Sequence, residues 1–252
     1  MNSPMILADL AHDIRVDTAW LAVGTGLLAG IAHTFMGADH LAALMPLSVN
    51  RKLRAAIQGV RWGVGHSMGV IVVTLLLLVG REKLNLEFFS EWGERMVGAM
   101  LILFGMWGLR QAARQNLHLH DHAHDDQSHA HWHVHGTQAH DPAESGMQKH
   151  VHTHAAFAAG TLHGLAGMAH LLGVLPALMA PTIFVSCTYL AGFATGSIVS
   201  MAVFAGGFGV ITARLGAKSP MLLKASMYVS AVLCLLIGLA WIFLPMAGIE
   251  LP

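Results

Sequence analysis

Five histidines, His33, His40, His66, His163 and His170, lie in or beside long apolar runs, and Asp39 directly precedes His40. An ionisable side chain inside a bilayer is costly enough that a functional role is the default reading. Neutral imidazole and carboxylate are the borderline ligands that divalent nickel, cobalt, zinc and copper accept, so the chemistry these residues suggest is metal coordination. For any one histidine a hydrogen bond between helices is the plain alternative; five together weaken it. Cys187 and Cys234 stand 47 positions apart in apolar runs, which excludes a disulfide framework, a CxxC pair and a thiolate zinc cluster.

Four of the histidines belong to an internal repeat. Shifting the chain by 130 positions aligns AGIAHTFMGADHLAALMP, residues 29–46, with AGTLHGLAGMAHLLGVLP, residues 159–176, and sets His33 on His163, Gly37 on Gly167, His40 on His170 and Pro46 on Pro176. Positions seven apart share a helix face but rise by about 10.5 Å, whereas metal–imidazole bonds are near 2.1 Å. Either the helix breaks near Gly37 and brings His40 and Asp39 back toward His33, or the ligands divide between two sites along a path. Asp39 corresponds to Ala169, so only the first copy carries a carboxylate. That carboxylate can ligate an ion, orient His40 or compensate charge, with a helix cap as the alternative. In WGVGHSMG, residues 62–69, His66 and Ser67 are flanked by glycines that admit a neighbouring backbone and can complete a coordination shell. A structural hydrogen bond is the rival reading there.

These residues must be positioned by apolar helices. Of 252 residues 55% are hydrophobic and 11% charged, with a mean hydropathy of +0.58, which rules out an ordinary soluble fold. Fourteen basic and fourteen acidic residues cancel, leaving no basic excess to hold nucleic acid. At about 20 residues per crossing, six spans are expected: Ala19 to Gly37, Ala56 to Val79, Met96 to Ala112, Ala155 to Met179, Ile183 to Leu215 and Leu222 to Met246. The expected fold class is therefore all-α and polytopic. Residues 1–18 read as a solvated lead-in that is not a secretory signal, 19–114 as a first three-span repeat, 115–154 as a loop and 155–252 as a second repeat. Three spans separate the two copies, so the halves are expected to be inverted, with a midplane site between them.

Ten Lys and Arg residues collect at one set of span ends and four at the other, which places the ten, and the loop, in the cytoplasm and both termini on the far side. Residues 81–95, with Phe88, Phe89 and Trp92 among acidic groups, read as an interfacial segment. The loop holds 12 of the 18 histidines, many alternating as in HLHDHAH and HAHWHVH. Such a tract builds no core; with Asp121, Asp125 and Asp126 it offers weak metal ligands, a disordered linker being the alternative.

HTFMGADHLAAL, then RWGVGHSMG, then TLHGLAGMAHLLGVLPAL after a His-rich loop, resembles the nickel/cobalt transporter superfamily, in particular its NicO and UreH-like branch of six-span proteins. The spacing from His33 to Asp39 leaves five residues between, as in that branch; the nickel permeases have four, so their metal preference does not carry over. The resemblance implies movement of a divalent transition metal across a membrane, with His33, Asp39, His40, His66 and His163 at motif positions and His170 added from the repeat. It also extends to a membrane family of hydrogenase and urease accessory proteins tied to nickel. The expectation is a transporter in the cell membrane and not an enzyme, with Ni²⁺ or Co²⁺ as substrate, no cofactor, lipid as its surroundings and an apo-metalloenzyme or metal-delivery protein as a partner. There is no P-loop, so ATP is not the direct energy source; proton exchange is plausible, because metal must displace protons from histidine. The competing class is an intramembrane zinc hydrolase that uses three histidines with Asp39 and Ser67 to activate water. An accessory protein that passes ions onward shares every sequence feature with the transporter.

Overall fold

The computed structural model describes residues 3–80, 86–114, 116–124, 127–135, 147–166 and 171–246. Apolar runs that must satisfy every backbone group internally can do so as helices, and among the described residues eight helices form: α1 (Ser3–Met36), α2 (Ala38–Ser48), α3 (Arg54–Gly80), α4 (Leu86–Arg114), α5 (Met147–Ala166), α6 (Leu171–Leu178), α7 (Ile183–Lys218) and α8 (Pro220–Met246). Five contain segments long and apolar enough to cross a membrane: Thr18–Met36, Arg54–Leu77, Trp92–Arg114, Ile183–Lys218 and Pro220–Met246. The remaining expected span, Ala155 to Met179, is divided between α5 and α6, and residues 167–170 lie outside the described set.

The expected lead-in is helical and continuous with the first span, since α1 begins at Ser3. Pro4 falls in its first turn, where a missing N–H costs nothing, and no glycine interrupts it before Gly24. The aromatic segment expected at the interface likewise runs from Leu86 directly into α4; residues 81–85 lie outside the described set.

Packing follows the small residues. A Cβ built on Gly30 would lie 2.1 Å from the Phe193 carbonyl oxygen, and one on Gly160 2.3 Å from that of Trp62, so α1 closes on α7, and α5 on α3, at a distance only glycine permits. Helices α3 and α7 meet at the centre, and α4 packs on α8. Trp62, Leu44, Leu101 and Met201 anchor one buried cluster, while Val174, Tyr189 and Phe193 anchor another. Outward faces carry exposed Leu21, Leu28, Leu75, Leu236 and Phe243, the pattern of a bundle whose solvent is hydrocarbon.

The two copies of the repeat place matching short helices: α2 ends at Ser48 and α6 at Leu178, and Pro46 and Pro176 sit inside them. All these pairs are 130 apart, the shift that aligns the sequences.

The His-rich tract departs from an all-helical fold. It forms an antiparallel ribbon, β1 (Asn116–His124) with β2 (Gln127–His135), in which His118 pairs with His133, His120 with His131 and His122 with His129. Alternation at every second residue suits a strand, so the pattern that supplies the histidines also supplies the ribbon.

Candidate metal centre

α1 stops one residue before Gly37, whose φ of −77° and ψ of 98° are extended. Gly37 N–H still bonds the His33 carbonyl at 3.0 Å, and the Gly37 carbonyl accepts from His40 N–H at 3.2 Å as α2 begins. A Cβ on Gly37 would stand 2.2 Å from His40 Nδ1, so the turn leaves room for that ring only because residue 37 has no side chain. The break does what the spacing requires: the His33 and His40 ring centroids are 4.7 Å apart, against about 10.5 Å of rise along an unbroken helix.

Asp39 lies in the first turn of α2, where the helix dipole favours a negative charge. Its Oδ1 accepts from His40 N–H at 3.0 Å and stands 2.9 Å from His40 Nδ1, while its Oδ2 is 3.2 Å from His163 Nε2 at the end of α5. The carboxylate therefore steadies its own helix and faces two imidazoles. α3 adds His66, whose ring centroid is 4.9 Å from that of His40 and 5.5 Å from both His33 and His163. The His40 and His163 centroids are 4.6 Å apart. Asp39, His40, His66 and His163 are buried, whereas His33 keeps part of its surface accessible.

Four elements thus deliver four imidazoles and one carboxylate to one place. Ligand atoms fall into two groups, each within 4.8 Å: His33 with His40 and His66, and Asp39 with His40 and His163. Three ligands spread evenly around one ion through bonds of about 2.1 Å stand about 3.6 Å apart or less, so each group can close on a transition-metal ion after side-chain movements of up to about an ångström. Nitrogen donors with a single carboxylate and no thiolate suit nickel, cobalt, zinc or copper over magnesium or calcium.

Of the residues singled out from sequence, five converge. His170 lies outside the described residues. Ser67 is buried beside His66, and its Oγ has no hydrogen-bond partner among the described residues. Two aromatic walls escape the sequence reading: Phe193 of α7, 5.3 Å from the His33 ring, and Trp62, 5.8 Å from the His163 ring. Trp62 precedes His66 by four residues and so shares its helix face, a signal that was available. Phe193 has none, because its place depends on how α7 crosses α1. Tyr189 Oη donates to the Gly173 carbonyl at 2.7 Å and Ser186 Oγ to the Ala177 carbonyl at 2.6 Å, fastening α6 to α7 beside the cluster.

Among curated proteins, the chain is 31% identical over 236 residues to Chloroplast protein FOR GROWTH AND FERTILITY 1 of Arabidopsis thaliana, covering 93% of this chain and 62% of that protein. To the second protein of that name in the same plant it is 31% identical over 235 residues, covering 93% of this chain and 58% of that protein. The chain has plant chloroplast relatives. It spans about three fifths of the length of these two. Urease accessory protein UreH of Bacillus sp. (strain TB-90) is 27% identical over 101 residues, 39% of this chain and 43% of that protein, which supports a UreH-like relationship over part of the length. No family profile matches the chain, and no solved structure does.

Proposed function

We propose that the chain carries a divalent transition-metal ion, Ni²⁺ or Co²⁺ foremost, across a membrane through the cluster of His33, Asp39, His40, His66 and His163. The observation that carries this reading is the convergence of four imidazoles and a carboxylate, from α1, α2, α3 and α5, inside a bundle of membrane-length helices. Ligands are expensive to place in an apolar interior and contribute nothing to packing, so their gathering there answers to a bound ion. The matching short helices α2 and α6, with Pro46 and Pro176 130 residues apart, support two inverted three-span halves with the ion at their interface, and the repeat adds His170 as a further ligand. In this reading the membrane is the cell membrane, the His-rich ribbon faces the cytoplasm and both termini face away from it. The likeness to a urease accessory protein favours an apo-metalloenzyme or its delivery protein as the ion's destination. A hydrolase built on the same residues is the weaker reading, because a single asymmetric active site gains little from a repeated half.

The test is flux of Ni²⁺, Co²⁺ and Zn²⁺ into or out of vesicles reconstituted with the purified chain. Accumulation of at least one of them above protein-free vesicles is the expected result. Flux of none sinks the transporter, and release of a cleavage product in its place promotes the hydrolase.

A further inference from the structure

The cluster is two overlapping triads, and the residue common to both is His40. His33, His40 and His66 form one; Asp39, His40 and His163 form the other. His33 is partly accessible, so the first triad has an open side. The second triad is buried throughout, and its His163 also lines a cavity of ≈ 40 Å³ with Met96, Met100 and Leu162. An imidazole has a nitrogen on each of two edges. His40 Nδ1 stands 2.9 Å from Asp39 Oδ1.

We propose that the cluster is a pair of adjoining stations occupied by one ion at a time, His33/His40/His66 and Asp39/His40/His163, with His40 as the ligand that keeps hold of the ion while it passes from one to the other. This rests on the transport reading and deepens it. Single occupancy follows from the donor set: two dipositive ions sharing one ring would have one carboxylate between them, too little negative charge in an interior that screens repulsion poorly. A shared ligand also explains why the break at Gly37 brings His40, and not His33 alone, to the middle of the group. An ion that exchanges two ligands while retaining a third never becomes bare in a low-dielectric interior.

Co²⁺ titration of the full purified chain in detergent, followed by visible absorption and by metal content, tests the idea with the variants His66→Gln, His163→Gln, the two combined, and His40→Gln. Alternative stations predict one Co²⁺ per chain. Each single variant still binds, with a spectrum of its own, and the combined variant loses more than about 100-fold in affinity, far beyond the product of the two single losses. Neither single variant carries Co²⁺ across vesicles, because each lacks one end of the step, and His40→Gln loses binding altogether. Two Co²⁺ per chain would overturn the proposal in favour of a binuclear centre. Losses in the single variants that multiply to the loss in the combined one would overturn it in favour of one composite site, leaving transport intact as a reading. Absence of Co²⁺ binding and flux in the unaltered chain would remove the transport reading itself. Circular dichroism of every variant separates a lost ligand from a lost fold.

Discussion

The first and second halves of the chain share a backbone plan and differ in chemistry. In both, a short proline-containing helix follows a long one, and a glycine 130 residues removed from its counterpart closes a helix pair. Yet the first half supplies His33, Asp39, His40 and His66, while the second supplies His163 and has Ala169 and Gly196 where the first has Asp39 and His66. The difference teaches that the plan of a broken helix and the ligands it presents are separable. Packing repeats because it depends on small residues at a few crossings. Charge does not repeat: Asp39 has Ala169 as its counterpart.

The sharpest test of that contrast is His40→Ala, which removes the ligand common to both triads. Binding of Co²⁺ should fall by more than about 100-fold, beyond the loss expected for a residue acting behind the ligands, while thermal unfolding in detergent stays close to that of the parent. A variant that binds normally would return His40 to a packing role. Next in size is Asp39→Asn. Asn serves the helix start about as well as Asp, so a role confined to the first turn of α2 predicts no change, whereas a carboxylate that faces His40 and His163 predicts an affinity loss of about 10- to 100-fold, measured by the same titration.

Gly30→Ala and Gly160→Ala probe the shared plan. Each places a methyl group against a backbone carbonyl, at 2.1 Å from Phe193 and 2.3 Å from Trp62, so each should cost about 1–3 kcal/mol of stability. Equal shifts in unfolding midpoint would support equivalent halves; a shift in only one would break the equivalence. The smallest effect is expected from deleting His118 to His152. Tethered ligands raise the ion concentration beside the pore without fixing its geometry, so half-saturation for cytoplasmic metal should rise several-fold with the maximum rate and the unfolding midpoint unchanged. Loss of the maximum rate would draw the loop into the path of the ion.

Much of this was legible in the residues. The repeat exposes His33, His40 and His163, the glycine at position 37 announces the break, and a 10.5 Å rise along an unbroken helix forces the choice between folding the ligands together and separating them. The structure folds them together, and the detail was not legible: whether His40 belongs to one triad or two depends on ring positions set by Asp39, Gly37 and the approach of α5, none of which leaves a periodic trace. Phe193 was hidden for the same reason. The ribbon is different in kind, since HLHDHAH carries the two-residue period of a strand in plain view. An unusual composition draws attention to the imidazoles and away from their spacing.

The register of that ribbon has a consequence for the chain in acid. His118, His120 and His122 stand opposite His133, His131 and His129, so protonation would set three pairs of like charges across the ladder, and like charges directly opposite one another drive strands apart. Acid should then open the ribbon, a change that the amide signals of residues 116–124 and 127–135 would report as pH falls.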